Sequence, residues 1–204
     1  MKKRSGDLRV PSIIVHPLSP DSLIGYATIP IAFEVRSVYE ADLIGEGLGG
    51  IQLREVPVEP YRKDYDACDE DRPENWPARF DVSNWVLLMI RDSETPIAGA
   101  AVAFDTPEVH MLEGQRDLAV VWDIRVHPDY RGAGLGTALF QAAADWARGK
   151  SCTQLKVETQ NTNVPACKFY ASQGCTLGEI HRFKYISELE YKNEVMLVWY
   201  LDLA

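Results

Sequence analysis

The sequence predicts an α/β fold, in which a mixed sheet carries helices on its faces. Short apolar segments rich in β-branched residues recur along the chain, and two segments between them have apolar residues at helical spacing. Turn-forming residues separate these elements. The resulting order of meandering strands, helix, strand, helix and closing hairpin is typical of helices packed against one sheet.

The chain changes in character near residue 80. The first part is rich in proline and turn-forming residues and contains one predicted strand, at residues 29–35. Beyond it, strands are predicted at residues 84–92, 96–105, 118–126, 154–160, 175–185 and 193–203, and helices at residues 134–149 and 163–174. The length of 204 residues suits one domain, so residues 1–204 are expected to fold as a single unit.

The composition disfavours several classes of protein. A net charge of −9 argues against binding to a nucleic acid backbone and favours a neutral or cationic partner. No segment approaches the roughly 18 to 20 consecutive apolar residues of a membrane span, and the basic start, residues 1–10, has no apolar region behind it. We therefore expect a cytoplasmic protein without a nucleic acid or membrane partner. The four cysteines form no C-x-x-C pair, so neither a disulfide framework nor a metal site is expected.

A glycine-rich segment, HPDYRGAGLGT at residues 127–137, lies between the predicted strand 118–126 and the predicted helix 134–149. Glycines at such a turn allow tight dihedral angles and close approach of another group to the backbone. The helix would begin at these glycines, so its free N–H groups and the positive end of its dipole would face the turn. Arg131 adds a positive charge. This combination predicts a phosphate site.

Two better-known phosphate loops do not fit this segment or its neighbours. A dinucleotide fingerprint requires a third glycine where Thr137 stands, and ARGKS at residues 147–151 lacks the first glycine of a P-loop. GEGLGG at residues 45–50 matches G-x-G-x-x-G, but no clear strand precedes it and no helical pattern follows it. We therefore interpret GEGLGG as a connector.

A second group of residues lies in NTNVPACKFYASQG, residues 161–174. Asn163 can cap the predicted helix, and helical spacing puts Ala166 and Tyr170 on the same face as Asn163. The small side chain of Ala166 leaves room for a slender ligand, and the phenol of Tyr170 can donate a proton. The alternative is that Tyr170 is a core residue with a satisfied hydroxyl.

Both segments resemble signatures of the GNAT superfamily of N-acetyltransferases. RGAGLG at residues 131–136, with Val126 upstream, resembles the acetyl-CoA pyrophosphate loop, and the pattern from Asn163 to Gly174 resembles the second signature. The resemblance covers about residues 84–203. A closer resemblance is to streptothricin acetyltransferases, which modify an amine of a cationic antibiotic. It rests on three segments: DIRVHPDYRGAGLGT, LKVETQNTNVPACKFYASQGCTLG and VEPYRKDYDACDED. Cys175 departs from that pattern, which has phenylalanine there.

The resemblance implies a mostly antiparallel sheet with helices on both faces, whose fourth and fifth strands, near residues 118–126 and 154–160, splay apart. Residues 1–83 would form the acceptor side, and residues 84–204 the acetyl-CoA-binding core. The backbone of residues 124–126 would pair with the pantetheine arm, and the loop would hold the pyrophosphate. The expected cofactor-binding residues are Ile124, Arg125, Val126, Arg131, Gly132, Ala133, Gly134, Leu135, Gly136, Thr137, Asn163, Ala166 and Tyr170.

The implied reaction needs a base and an acid. An acceptor amine with a pKa of about 10 must lose a proton before it attacks a thioester. Asp123 is the first candidate for the base and Glu158 the second, although either carboxylate could instead pair with Arg125 or Lys156. Tyr170 is the candidate acid for the departing thiolate. We expect direct attack in a ternary complex, with Cys167 as a buried thiol.

The acceptor side carries an acidic segment, DYDACDEDRPE at residues 64–74, with six acidic residues and one arginine. Such a run is often a solvated loop, but the resemblance makes Asp69, Glu70 and Asp71 candidates for binding a small cationic amine such as streptothricin. The alternatives are acetylation of protein N-termini or lysines, and a CoA-binding module without turnover. The apolar last strand could pair with a second copy across a two-fold axis.

Overall fold

The computed structural model of the protein describes residues 12–204; the basic segment at residues 1–10 lies outside the described residues. The chain contains the strands β1 (Ile14–Pro17), β2 (Phe33–Leu43), β3 (Ile51–Lys63), β4 (Val86–Asp92), β5 (Thr95–Phe104), β6 (Leu118–Val126), β7 (Gln154–Gln160), β8 (Thr176–His181) and β9 (Met196–Asp202). The helices are α1 (Pro20–Ala27), α2 (Trp76–Arg79), α3 (Leu135–Gly149) and α4 (Val164–Ser172).

Seven strands form one sheet, in the order β1, β4, β5, β6, β7, β9, β8. Its pairs are antiparallel except β6 and β7, which are parallel. One face of the sheet packs against α3 and α4, whose buried residues include Leu139, Phe140 and Cys167. The opposite face packs against α1 and α2 through Tyr26 and Trp76. The mixed sheet with helices on both faces is confirmed.

The parallel pair β6 and β7 separates part of the way along its length. Their Cα pairing runs from Leu118 and Gln154 to Val121 and Val157, whereas both strands continue beyond that point. On its other edge β6 has a bulge at Trp122, between the pairs that it makes with β5. A bulge twists a strand locally, and the splay between the two strands is confirmed.

The first part of the chain contains more regular structure than the sequence predicts. The predicted strand at residues 29–35 overlaps β2 only at residues 33–35, and β2 forms a separate antiparallel hairpin with β3. The segment GEGLGG forms the turn of this hairpin, so it follows a strand but leads into another strand and not into a helix. The two strands were hard to predict because, within residues 12–204, they pair only with each other, are largely exposed, and carry polar residues and two prolines.

Helix α1 was also not predicted, although its start carries a local signal. The Ser19 hydroxyl accepts a hydrogen bond from the backbone N–H of Ser22 at 3.3 Å, and a proline follows the cap. The helix buries Tyr26 completely against Gly99 of β5. A Cβ at Gly99 would lie 2.7 Å from the Tyr26 ring, so this packing requires glycine.

The last predicted hairpin is shorter than the sequence suggests. Strand β8 ends at His181 and not at residue 185, and residues 182–195 form turns before β9 begins. The backbone of Asn161, just after β7, accepts a hydrogen bond from the N–H of Tyr39 at 2.9 Å and thereby joins the β2 and β3 hairpin to the main sheet. Within residues 12–204, no helix is both long and apolar enough to cross a bilayer.

Candidate functional site

A cavity of about 1090 Å³ opens where β6 and β7 separate. Its walls come from both strands, the glycine-rich loop, the starts of α3 and α4, and the acidic segment. Most of the residues predicted for the site line this cavity: Asp71, Asp123, Ile124, Arg125, Val126, Arg131, Gly132, Gly134, Leu135, Gly136, Thr137, Glu158, Asn163, Ala166 and Tyr170. Ala133, Asp69 and Glu70 are not among its lining residues.

The glycine-rich loop presents free backbone donors to the cavity. Gly132 and Gly134 have φ values of +79° and +80°, a left-handed conformation that favours glycine. Gly134 is the N-cap of α3 and provides no side-chain cap. In the described chain, the N–H groups of residues 132–137 donate no hydrogen bond to another residue. A Cβ at either glycine would meet no atom within 4 Å, so the backbone is open to a ligand.

Arg131 holds the loop against the end of β6. Its Nε donates to the Val126 carbonyl oxygen at 3.1 Å, and its Nη2 donates to the Ala32 carbonyl oxygen at 3.1 Å. Partial burial lowers the pKa of Arg131 from its ordinary value. The side chain therefore contributes charge beside the loop and also fixes the position of the loop.

Within residues 12–204, the cavity edge of β6 pairs with no strand beyond Val121, although the Val126 carbonyl oxygen accepts a hydrogen bond from Arg131. Residues 124–126 pair with β5 on one side, through Ala100 with Ile124 and Ala98 with Val126. On the other side the pairing with β7 has already ended at Val121. An extended ligand with amide groups could form hydrogen bonds along this edge as an added strand does.

Helix α4 brings its predicted residues to the opposite wall. The Asn163 side chain accepts a hydrogen bond from the Ala166 N–H at 3.2 Å, as expected of an N-cap. Tyr170 packs its ring against Phe140, with the ring centroids 5.8 Å apart, and it also lines the cavity. No hydrogen bond joins its hydroxyl to a residue in the range 12–204. Burial raises the pKa of Tyr170 well above its ordinary value, so the phenol stays protonated.

Asp123 belongs to a buried ion-pair cluster. Arg125 donates to both of its carboxylate oxygens, from Nε at 2.9 Å and from Nη2 at 2.7 Å. Tyr26 donates a further hydrogen bond to the same carboxylate. Arg125 also donates to Asp66 at 2.9 Å and to the Ile29 carbonyl oxygen at 3.1 Å. The pairing of Asp123 with Arg125, which the sequence left open, is therefore present.

Glu158 has a different environment. It is the first residue of β7 beyond the last pair with β6, and it accepts a hydrogen bond from the Tyr185 hydroxyl at 2.6 Å. Lys156, the pairing partner considered from the sequence, forms an ion pair with Glu113 instead. Within residues 12–204, Glu158 forms no ion pair.

This difference distinguishes Glu158 from the other carboxylates of the cavity. In the described part of the chain every other lining carboxylate contacts an arginine: Glu34 pairs with Arg36, Asp66 and Asp123 with Arg125, and Asp71 with Arg79. An uncompensated carboxylate in a cleft attracts a cation and can accept its proton. Glu158 is therefore the lining carboxylate that no arginine or lysine of residues 12–204 neutralises.

The acidic segment lines part of the cavity, but of its three predicted acceptor-binding residues only Asp71 is a lining residue. Asp69 has a side chain that is 92% exposed, and Glu70 is exposed as well. Asp66 and Asp71 do line the cavity, together with Tyr65. Asp66 belongs to the same acidic run, but its position at the cavity depends on Arg125, which is 59 residues away in sequence.

Cys167 has the properties expected of a buried thiol. It is 1% exposed, and burial raises its pKa to about 12. A thiol in this state is a poor nucleophile. Among the described residues, no cluster of histidine, cysteine, aspartate or glutamate has the arrangement of a metal site.

Comparisons with known proteins identify a matching family and several similar proteins. The family model described as Acetyltransferase (GNAT) family matches residues 51–175. A streptothricin acetyltransferase of Escherichia coli is 30% identical over 169 residues, which cover 82% of this chain and 84% of that protein. A streptothricin acetyltransferase of Streptomyces lavendulae is 31% identical over 149 residues, which cover 70% of each protein.

Two solved structures are similar along nearly the whole chain. The crystal structure of nourseothricin acetyltransferase has a TM-score of 0.71 at 22% identity, covering 94% of this chain and 99% of that chain. A protein of Bacillus anthracis str. Ames in complex with acetyl coenzyme A has a TM-score of 0.72 at 24% identity, with the same coverage. At these identities the structural likeness establishes the fold alone.

Proposed function

The chain belongs to the GNAT family of N-acetyltransferases, and from this premise we propose that it transfers an acetyl group from acetyl-CoA to a primary amine of a small cationic acceptor. One observation carries the proposal. The cavity joins a loop with free N–H donors, which suits a phosphate, to a carboxylate that has no cationic partner within residues 12–204, which suits an amine. Acetylation of an amine by acetyl-CoA needs both features, because acetyl-CoA carries a pyrophosphate and the acceptor carries a protonated amine.

The residues of the loop and of β6 fit acetyl-CoA. The open N–H groups of residues 132–137 would hold the pyrophosphate, and the unpaired edge of residues 124–126 would bind the pantetheine arm. Asn163 and Ala166 would border the arm from α4. When bound, acetyl-CoA supplies an activated acetyl thioester.

The two candidate bases differ in how free their oxygens are. Asp123 already receives two hydrogen bonds from Arg125 and one from Tyr26, so accepting a proton would disrupt a buried ion pair. Within residues 12–204, Glu158 has no cationic partner to lose. Which carboxylate is the base stays a prediction; the contacts favour Glu158, the reverse of the order suggested by the sequence, and give Asp123 an orienting role.

Tyr170 would protonate the departing thiolate of CoA. Its hydroxyl is free of protein partners within residues 12–204, it lines the cavity, and its raised pKa keeps the proton in place at neutral pH. The thiol of Cys167 would take no part, since it is buried and protonated. Both features support direct attack of the amine on the thioester in a ternary complex.

The acceptor is proposed from charge and from the named relatives. The chain carries a net charge of −9, and carboxylates line the acceptor end of the cavity. Two relatives that match over two thirds or more of their length are named streptothricin acetyltransferases. We therefore propose a small polycationic amine of the streptothricin type, bound to a cytoplasmic enzyme.

A panel of amines tests this proposal. The protein is incubated with acetyl-CoA and with streptothricin, linear polyamines, lysine-containing peptides or peptides with a free N-terminus, and products are identified by mass spectrometry. Acetylated streptothricin or polyamine is the expected product, and Glu158→Gln should abolish most of its formation. Better acetylation of the peptides than of every small polycation would favour a protein acetyltransferase. Binding of acetyl-CoA without any product would favour a module that only binds CoA.

A further inference from the structure

We propose that Tyr185, in the segment between β8 and β9, is a positioning residue that holds the Glu158 carboxylate in the orientation in which it receives a proton from the acceptor amine. The inference rests on the proposed function of Glu158. Tyr185 was predicted to end a strand, but it lies in the turns of residues 182–195 and packs beside the cavity.

Four side chains form a directed series of hydrogen bonds that ends at Glu158. The Tyr65 hydroxyl donates to Gln160 Oε1 at 2.6 Å, and Gln160 Nε2 donates to the Tyr185 hydroxyl oxygen at 2.9 Å. The Tyr185 hydroxyl then donates to Glu158 Oε1 at 2.6 Å. Because each donor points toward the carboxylate, the series fixes the amide orientation of Gln160 and polarises each bond in the same direction.

The series leaves one oxygen of Glu158 for the substrate. Oε1 receives the Tyr185 hydroxyl and lies 3.5 Å from Gln160 Nε2. Oε2 receives no hydrogen bond from a residue in the described range 12–204. Glu158 lines the cavity, and Oε2 is the oxygen left to accept a hydrogen bond and then a proton from an amine.

Packing keeps Tyr185 in place. The residue is 8% exposed and packs against Met196 and Val198 of β9. Val198 is the direct antiparallel partner of Glu158, so Tyr185 packs against the strand next to the one that carries the carboxylate. Burial raises the pKa of Tyr185 well above its ordinary value, so its hydroxyl remains a donor at neutral pH.

A buried ion pair joins the first donor of the series to the segment that carries Tyr185. Lys63 and Glu194 form an ion pair with side chains that are 8% and 13% exposed. Glu194 lies in the same segment as Tyr185, and the Lys63 Nζ lies 5.2 Å from the centre of the Tyr65 ring. The first donor of the series and the segment that carries Tyr185 are therefore held by one contact, which favours a fixed geometry at Glu158.

The test is a double-mutant cycle of Tyr185→Phe and Glu158→Gln. Tyr185→Phe keeps the ring and removes the donor, so kcat for the amine should fall by about tenfold or more while KM for acetyl-CoA stays unchanged. The same substitution in the Glu158→Gln background should have no further effect, because Tyr185 acts through that carboxylate. Tyr191→Phe is the matched control. Tyr191 lies in the same segment, and its hydroxyl makes no hydrogen bond within residues 12–204.

The cycle is measured at pH 7.5 and again near pH 9.5, where more of an amine with a pKa of about 10 is already unprotonated and depends less on a base. Both single variants should recover toward the parent at the higher pH, which also makes the Glu158→Gln background measurable. A structural role would reduce kcat equally at both pH values and in both backgrounds, and that result would overturn the proposal. If Tyr185→Phe is as active as the parent while Glu158→Gln is impaired, the role of Tyr185 is wrong but the proposed function is not contradicted.

Two further outcomes are distinguishable. Parent-like activity of Glu158→Gln would contradict the proposed function and this inference together. If Tyr185→Phe does not fold, Tyr65→Phe breaks the series at its other end and should give a smaller loss with the same recovery at high pH. Parent-like activity of Tyr65→Phe in that case overturns the proposal.

Discussion

Arg125 holds Asp123 by two hydrogen bonds, from Nε to Oδ1 at 2.9 Å and from Nη2 to Oδ2 at 2.7 Å, in a cluster where the arginine side chain is only 1% exposed. The same guanidinium reaches Asp66, so two acidic residues share one buried positive charge. Removing one of the two carboxylates would leave the buried positive charge of Arg125 only partly neutralised. We therefore expect this contact to affect mainly the free energy of unfolding.

Asp123 and Glu158 should therefore respond differently to neutralisation. Asp123→Asn is expected to lower the free energy of unfolding by about 2 to 3 kcal/mol, because it weakens a buried ion pair. Glu158→Gln should leave stability within about 0.5 kcal/mol of the parent and lower turnover by about a hundredfold. Urea unfolding and steady-state kinetics on both variants measure this. A stable Asp123→Asn enzyme with the larger loss of turnover would make Asp123 the base.

Gly134 should be needed for binding acetyl-CoA. Gly134→Val adds a Cβ at the loop backbone and forces a β-branched residue into a φ of +80°, so the dissociation constant for acetyl-CoA should rise at least about tenfold. Calorimetry on the folded variant measures it. Gly149→Ala at the end of α3 is the control, because a Cβ there also meets no atom within 4 Å and the site lies away from the loop. Equal affinities in the two variants would remove the loop from the cofactor site.

Tyr170 should contribute to turnover and little to binding. Tyr170→Phe keeps the ring that packs against Phe140 and removes only the hydroxyl, so kcat should fall by about 10² or more while the affinity for CoA is nearly unchanged. Single-turnover kinetics and CoA titration separate the two effects. Turnover within twofold of the parent would mean that water protonates the thiolate.

Asp71 should account for most of the effect of the acidic segment on the acceptor. Asp71 lines the cavity, whereas Asp69 and Glu70 do not. Asp71→Asn should raise KM for a polycationic amine at low ionic strength and leave KM for acetyl-CoA unchanged, and added salt should reduce the difference. The double variant Asp69→Asn, Glu70→Gln is the comparison. If the double variant has the larger effect, the segment acts through its overall field and not through contact.

Stability should decline at alkaline pH. Burial raises the pKa of Tyr26, Tyr65, Tyr170 and Tyr185 above the ordinary value of about 10. Their contribution is fully present below pH 10, and it is lost as the pH rises above 10, because the unfolded chain ionises first. Each tyrosine can then remove up to about 1.4 kcal/mol per pH unit. Urea midpoints from pH 8 to pH 11 measure this; a constant midpoint throughout would contradict the burial of these phenols.

The sequence by itself determined the parts of the protein whose signals are local. The strand before the glycine-rich loop, the helix after it and the cap at Asn163 depend on residues within a few positions of one another, and they lie where the sequence predicts them. Continuous apolar segments rich in β-branched residues also identified the central strands. The hairpin of β2 and β3 was not predicted because exposed strands that pair only with each other have no apolar pattern.

Only the tertiary structure decided which charges meet. Tyr26 and Asp123 are 97 residues apart in sequence, Arg125 and Asp66 are 59 apart, and Tyr185 and Glu158 are 27 apart. The bulge in β6, the splay of β7 and the turns after β8 bring these groups together. Coulomb and hydrogen-bond energies depend on distances of a few ångströms. A sequence pattern identifies the carboxylates, but those distances decide which lining carboxylates of residues 12–204 are neutralised by an arginine and which one contacts no arginine.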